Sequence, residues 1–163
     1  MNTMKKLLFT SLVAMFATSA FAVQRGDFAI GGNLLFGAGN NFSHAGVGAK
    51  VSYNITDPIR AVAEFDFFLR SSNSQWTDIS LYGHYLFFVS DRVILFPAVG
   101  VGLLRQNTRF GSTNFVNNSF AFSLGGGIEY VLNNNFSLIG EYRLKLFDGF
   151  NRSNIVVGVA YRF

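Results

Sequence analysis

A strict alternation between apolar residues and polar or small residues runs through most of this chain and limits what it can fold into. In residues 45–55, every odd position is apolar and every even position is Gly, Lys, Ser or Asn. The same period of two recurs in residues 61–69, 77–85, 120–130, 136–146 and 155–163. Successive side chains of a β-strand point to opposite faces, so the pattern predicts strands with one apolar and one polar face.

The strands are predicted to follow one another as an up-and-down barrel. Two less regular segments, 26–36 and 92–104, raise the number of predicted strands to eight. Turn-forming residues at 56–58, 89–91 and 133–135 predict tight turns after strands two, four and six. The remaining connections are predicted to be longer loops, at 37–44, 71–75, 105–118 and 147–153. Short turns at one end and longer loops at the other are typical of barrels that span a membrane.

The number of large apolar side chains indicates which face of the barrel points outward. A soluble ligand-carrying barrel alternates in the same way, with its apolar face inward. An eight-stranded lumen is only wide enough for side chains or one small ligand, and roughly forty large apolar residues do not fit inside it. The chain contains 20 Phe and is 17% aromatic. The predicted fold class is therefore all-β, an eight-stranded antiparallel up-and-down transmembrane β-barrel with its apolar face towards lipid.

The opposite face supplies residues that fill the lumen. Gly125 and Gly127 are small, whereas Glu141 and Arg143 on the next strand are large and charged. A hairpin centred on Asn134 places Gly127 opposite Glu141 and Gly125 opposite Arg143, which leaves room for long side chains to cross the lumen and pair. We predict a lumen charge network of Lys50, Arg60, Glu64, Asp66, Glu129, Glu141, Arg143, Lys145 and Arg162.

Aromatic residues near the strand ends fit the two interfaces of a bilayer, where transmembrane barrels carry aromatic girdles. The girdle at the end with the tight turns is predicted to contain Tyr53, Phe87, Tyr130, Phe136 and Phe163. The girdle at the other end is predicted to contain Phe36, Phe67, Trp76, Phe120 and Phe147.

Residues 1–22 are predicted to be a secretory signal peptide. Lys5 and Lys6 form a basic region, residues 7–17 form a mostly apolar stretch, and residues 20–22 form a small-x-small cleavage site. A membrane-spanning helix needs about 20 apolar residues, so this stretch is too short to be an anchor. Cleavage after Ala22 leaves residues 23–163 as the barrel domain, and its formal charge falls from +4 to +2 because both lysines are removed.

Two segments resemble the small outer-membrane β-barrel proteins. They are residues 125–143, GGGIEYVLNNNFSLIGEYR, and residues 157–163, VGVAYRF. That family includes the membrane domain of outer membrane protein A, the protein X group and the opacity-type surface proteins. The resemblance implies that the barrel-assembly machinery reads the terminal aromatic residues Tyr161 and Phe163, although Phe163 alternatively anchors its strand at the membrane interface.

The fold and the resemblance together favour a monomeric protein of the bacterial outer membrane. Its expected role is structural or surface-exposed, in envelope integrity or in adhesion to a surface ligand, with lipopolysaccharide as its first partner. A narrow channel for ions or small solutes is the main alternative. Basic residues do not cluster in the barrel domain, so no nucleic-acid partner is expected.

Catalysis and metal binding have little support in the sequence. Enzymes that modify lipid A also use such barrels, but a deacylase pattern requires a Ser two residues from a His, and Leu86 stands at that position after His84. We expect His84 to be a hydrogen-bonded lumen residue beside Tyr82 and Asp78. A palmitoyltransferase pattern requires an Asp-Ser pair to accompany a loop His such as His44, and no such dipeptide occurs. We therefore expect no catalytic, cofactor-binding or metal-binding residues.

Arginines near the predicted outer rim form a candidate lipopolysaccharide site, because an Arg side chain binds phosphate through two parallel hydrogen bonds. The candidates are Arg70, Arg105, Arg109 and Arg152. An alternative is that these side chains only extend towards water at the membrane interface. This alternative arises because similar residues are predicted near the opposite rim, namely Arg25, Arg60, Arg92 and Arg162.

Overall fold

The chain forms one antiparallel sheet that closes on itself. The computed structural model describes residues 23–39, 42–71 and 74–163. The predicted signal peptide lies outside these residues. The strands are β1 (Phe28–Gly39), β2 (Phe42–Asn54), β3 (Ile59–Ser71), β4 (Ser74–Tyr85), β5 (Phe87–Phe88), β6 (Val93–Phe110), β7 (Thr113–Val131), β8 (Phe136–Phe147) and β9 (Phe150–Arg162). Strands pair with their neighbours in chain order, β4 and β5 both pair with β6, and β1 pairs with β9.

The short strand β5 continues β4, and the two form one strand of the barrel. His84 pairs with Ala98 and Phe87 pairs with Leu95, so the register is the same on both sides of the gap. Pro97 lies in β6 opposite this gap, and Pro has no N–H to donate to a neighbouring strand. Counted in this way the barrel has eight strands, which confirms the predicted fold class.

The connections between strands differ from the predicted turns and loops. At one end, called the turn end, residues 55–58, 89–92 and 132–135 join the strands. At the other, called the hairpin end, the strands are separated only by residues 40–41, 72–73, 111–112 and 148–149. The prediction of four longer loops was therefore wrong, because the polar segments continue as paired strands. Backbone pairing does not require an apolar face. A strand in water that has polar residues on both faces therefore has the amino-acid composition of a loop.

The outward face of the barrel is apolar, and the lumen is charged. Leu81, Val99 and Val157 point outward and expose 60%, 53% and 54% of their surface. All the charged residues predicted for the lumen are buried. Gly125 pairs with Arg143, and Gly127 pairs with Glu141, as predicted. A side chain at position 127 would place its first carbon 2.5 Å from the Gly140 carbonyl oxygen and 2.7 Å from the Phe96 ring, which favours Gly there.

The aromatic girdles are partly as predicted. The five residues assigned to the turn end are all exposed on the outward face. At the hairpin end, Phe36 and Phe120 are exposed on that face as well. Trp76 and Phe147 instead point into the lumen. Each lies two residues from a buried charged residue of its strand, Asp78 or Lys145, and residues two apart share a face. No helix of the described segments is long and apolar enough to cross a membrane.

The interior is layered along the barrel axis. On β8 the inward residues progress from Ser137 and Ile139, through charged residues, to Phe147 at the hairpin end. An apolar layer at the turn end consists of Val23, Leu86, Ile94, Phe96, Ala98, Val131 and Ile139. Apolar clusters at the hairpin end consist of Leu35, Phe68, Val156, Leu104, Ala121 and Phe147, with Trp76 and Phe150 packed against them. The charged side chains therefore lie between two apolar layers.

Candidate functional site

Arg143 lies in the middle of the lumen and joins two carboxylates. Its Nη1 and Nη2 atoms donate to the two carboxylate oxygens of Glu64 at 2.6 and 2.9 Å. Its Nε donates to Oε2 of Glu141 at 2.7 Å, and the other oxygen of Glu141 accepts from Lys50 Nζ at 2.8 Å. The guanidinium carbon lies 4.4 Å from the centre of the Tyr82 ring. Two-pronged hydrogen bonds are directional as well as strong, so this group fixes β2, β3 and β8 relative to one another.

A second ion-paired group lies towards the turn end. Glu129 accepts from Arg60 Nη1 at 2.6 Å and from Arg162 Nη2 at 3.2 Å. Arg60 Nε also donates to Asn54 Oδ1 at 2.9 Å. Arg162 Nε lies 3.7 Å from Oδ2 of Asp27, a residue that the sequence reasoning did not assign to the network. Both carboxylate oxygens of Glu129 are therefore paired inside the barrel.

A third ion-paired group lies towards the hairpin end. Lys145 Nζ donates to Asp78 Oδ2 at 2.9 Å and to Ser80 Oγ at 3.1 Å, and it lies 3.8 Å from Asp66 Oδ2. Arg152 also pairs with Asp78. The predicted network omitted Asp78 and Arg152. Parity would have revealed both, because Asp78 alternates in phase with His84 and Arg152 in phase with Arg162.

The predicted position of Arg152 on the outer rim is wrong. Its side chain is fully buried, and the guanidinium carbon lies 4.6 Å from the centre of the Phe68 ring. The position of Arg152 near a strand end suggested the rim. The face to which a side chain points depends instead on whether its residue is odd or even along the strand. The other three candidate rim residues, Arg70, Arg105 and Arg109, are exposed.

A small cavity lies among the ion pairs of the lumen. The cavity next to Glu129 and Glu141 has a volume of about 20 Å³, enough for about one water molecule. His84 lies beside this cavity and stacks on Phe96, with ring centres 4.5 Å apart. It points inward as predicted, and its ring nitrogens form no hydrogen bonds with the described residues, so the expected hydrogen-bonded role stays a prediction.

The segment before β1 folds back under the barrel and places Val23 in the apolar layer at the turn end. The N–H of Gln24 donates to Asp27 Oδ2 at 2.8 Å, and the N–H of Arg25 donates to Asp57 Oδ1 at 2.8 Å. Gly26 adopts a φ of 90°, a left-handed conformation that favours Gly. This tight turn directs the side chain of Val23 into the lumen, where it is 3% exposed.

A groove lies on the outward face near the hairpin end. It has a volume of about 620 Å³. Phe65, Ile79 and Leu103 form an apolar wall. The polar residues that line it are Gln75, Thr77, Arg105, Asn107 and Asn118. Thr77 and Arg105 pair across β4 and β6, and Arg105 pairs with Asn118 across β6 and β7. The groove is therefore amphipathic and contains one of the candidate rim arginines.

The aromatic residues of the last strand meet those of the neighbouring strands. Tyr161 packs edge-on against Phe136 and against Phe163, each with ring centres 5.0 Å apart. The ring centre of Phe163 lies 5.8 Å from that of Phe28, and the N–H of Phe163 donates to the Phe28 carbonyl oxygen at 3.0 Å. Phe163 remains 69% exposed on the outward face.

Comparison with known families identifies the fold. Residues 8–163 match the family described as outer membrane protein beta-barrel domain. The chain belongs to this family. Comparison of this outer-membrane barrel with curated proteins finds no match. Within the described ranges, no group of three or more His, Cys, Asp or Glu residues is arranged to hold a metal ion.

Solved structures of other outer-membrane barrels have the same fold. Neisserial surface protein A has a TM-score of 0.66 at 16% identity, over 84% of this chain and 96% of that chain. The attachment invasion locus protein Ail of Yersinia pestis has a TM-score of 0.65 at 16% identity, over 86% of this chain and 100% of that chain. The N-terminal β-barrel domain of Pseudomonas aeruginosa OprF has a TM-score of 0.66 at 17% identity, over 86% of this chain and 100% of that domain.

Proposed function

We propose that this outer-membrane barrel is a monomer with a structural or surface-exposed role, in envelope integrity or adhesion, and with a lumen closed to flow. The observation that carries the proposal is the filling of the lumen. Each buried Lys or Arg of the described lumen pairs with a carboxylate. Apolar layers lie on both sides of these pairs. Water and ions cross a pore only where the lining leaves an aqueous path, so this filling favours a closed barrel over a channel.

The turn end lies in the periplasm and the hairpin end lies outside the cell in this proposal. Signal cleavage after Ala22 frees the segment that begins at Val23, and the barrel-assembly machinery reads Tyr161 and Phe163. The exposed outward position of Phe163 supports this role. Two structural neighbours are a surface protein and an attachment invasion locus protein, which supports surface exposure of the hairpin end.

Conductance in a planar bilayer tests the closed lumen against the alternative of a narrow channel. We expect the refolded wild-type protein to show no steady open level. We expect Arg143→Ala to produce openings, because it removes the side chain that crosses the middle of the lumen. Arg25→Ala, at an exposed position of the turn end, is the matched control and should behave as wild type. A large, steady wild-type conductance would overturn the proposal and favour the channel.

Lipopolysaccharide is the proposed first partner, and the amphipathic groove supports it. The Arg105 guanidinium suits a phosphate group, the amide side chains suit sugar hydroxyls, and the apolar wall suits an acyl chain. We expect Arg70→Gln, Arg105→Gln and Arg109→Gln together to weaken association with lipopolysaccharide more than with a neutral lipid at matched salt. Arg25→Gln is the control. Equal changes for both lipids, or no change for either, would contradict the lipopolysaccharide site. The alternative, that these arginines only extend towards water at the membrane interface, would then remain.

A further inference from the structure

The outer part of β7 has an unpaired edge. On one side, β7 pairs with β6 along its whole length, up to the pair of Thr113 with Phe110. On the other side its pairing with β8 ends where Ala121 meets Phe147. No described strand pairs with the second edge of residues 113–120. These eight residues extend for roughly 26 Å at about 3.3 Å per residue.

This edge lacks the features by which proteins protect a free strand from pairing. Residues 113–120 read TNFVNNSF and contain no charged residue and no Pro. Phe115, Val116 and Phe120 expose 60%, 51% and 61% of their surface. Charged side chains, Pro and covering loops are the usual means of blocking an edge strand. The backbone groups on the second edge of this segment are therefore available to an added strand.

The fold determines where an added strand would lie. β8 ends at Phe147, directly below the open edge, and the turn Asp148–Gly149 leads into β9. A strand that pairs antiparallel with residues 113–120 would continue the line of β8 towards the outside. Its first residues would lie next to the turn, and its last residues next to Thr113.

Two arginines give this surface a specific charge pattern. Arg105 pairs with Asn118 and Arg109 pairs with Asn114, so each Arg lies one strand away from the open edge on the outward face. The intervening side chains are short and neutral, and Arg is long enough to extend across one of them to the next strand. Val116 lies between the two Asn positions on the same face of β7.

We propose that this edge binds an extended segment of another protein by strand addition, and that the segment carries two acidic residues four positions apart with an apolar residue midway between them. The acidic residues lie opposite Asn118 and Asn114, within reach of Arg105 and Arg109, and the apolar residue lies opposite Val116. Backbone hydrogen bonds provide the affinity, and the outward side chains provide the selectivity. The inference rests on the proposed function only in placing the hairpin end outside the cell.

A short peptide tests the pairing and the charge pattern. The probe is a fluorescent peptide of sequence Thr-Glu-Thr-Val-Thr-Glu-Thr, and its anisotropy is followed as folded barrel in lipid nanodiscs is added. We expect saturable binding, and we expect a peptide with Lys in place of both Glu residues to bind about tenfold more weakly at low salt. Arg105→Gln combined with Arg109→Gln should remove this preference for Glu. Arg25→Gln is the control and should retain it.

Backbone methylation separates strand addition from simple charge attraction. Two further probes carry N-methyl groups on alternate residues, one set on the odd positions and one on the even positions. Only one edge of the peptide faces β7, so one set should abolish binding and the other should leave it nearly unchanged. Equal binding of both methylated probes, or no binding of the parent peptide, would overturn the proposal.

Association of two barrels through the open edge of β7 would also overturn the proposal of strand addition. If crosslinking joins two barrels through residues 113–120 and excess peptide does not compete, the edge is occupied by a second copy. Migration of the unboiled barrel on a denaturing gel verifies that each variant is folded. The conductance measurement is independent of this edge, so failure here leaves the closed-lumen proposal intact.

Discussion

At the scale of single residues, the interior depends on charges that are paired away from bulk water. Arg143 satisfies Glu64 with two hydrogen bonds and also pairs with Glu141, and all three side chains are almost completely buried. A buried ion pair contributes little relative to a well-packed apolar pair, but loss of one partner leaves an uncompensated charge. Substitution of one residue of this group is therefore expected to cost much more than substitution of an exposed Arg.

Arg143→Ala should lower the free energy of unfolding by about 3 kcal/mol, because Glu64 loses its only described basic partner. Denaturant titration of the folded barrel in detergent measures this change. Arg25→Ala provides the comparison, since substitutions at exposed sites usually change stability by less than about 0.5 kcal/mol. Similar losses for the two variants would mean that the ion-paired lumen does not stabilise the fold.

Arg152 and Arg105 should show opposite behaviour, because one is buried against Asp78 and the other is exposed in the groove. Arg152→Gln should lower the free energy of unfolding by about 2 kcal/mol and leave lipopolysaccharide association unchanged. Arg105→Gln should weaken that association and leave stability within about 0.5 kcal/mol of wild type. The paired measurements are denaturant titration and lipid association. A loss of stability in Arg105→Gln but not in Arg152→Gln would contradict the assignment of Arg152 to the interior and of Arg105 to the exposed groove.

At the scale of elements, alternation alone predicted the strands and the direction of most side chains. Where position along the strand was used instead of parity, the assignment failed, as it did for Trp76, Phe147 and Arg152. The turn Asp148–Gly149 carries the Asp-Gly pair typical of two-residue hairpins, and Gly149 has a φ of 89°. Phe147 pairs with Phe150 across this turn, so two residues make the connection that was predicted to be a loop at 147–153.

The position of Val23 could not be predicted from local pattern, because it depends on contacts with residues far along the chain. Val23→Asp should lower the free energy of unfolding by about 2 kcal/mol, since it places a carboxylate in an apolar layer. Gln24→Asp is the matched control, because the neighbouring side chain is exposed. Thermal unfolding in detergent measures both variants. If Val23→Asp and Gln24→Asp were equally stable, the packing of Val23 in the apolar layer would not stabilise the barrel.

At the scale of the whole molecule, the barrel reverses the arrangement of a soluble protein. Large apolar residues cover its outward face, while the ion-paired groups of Glu64, Glu129 and Asp78 are buried inside. In water such a surface would associate with other apolar surfaces, whereas in a bilayer it contacts acyl chains. Closure of the sheet pairs the strands around the barrel, which the hydrocarbon environment requires.

Fluorescence quenching by lipids with brominated acyl chains tests this arrangement most directly. The chain has a single Trp, and Trp76 packs inside the barrel against Phe150 with ring centres 6.2 Å apart. Leu81 is 60% exposed on the outward face, so Leu81→Trp in a Trp76→Phe background reports from that face. We predict strong quenching by brominated lipid for the Leu81→Trp barrel and weak quenching for wild type. Quenching of the Leu81→Trp barrel by aqueous iodide but not by brominated lipid would contradict the account.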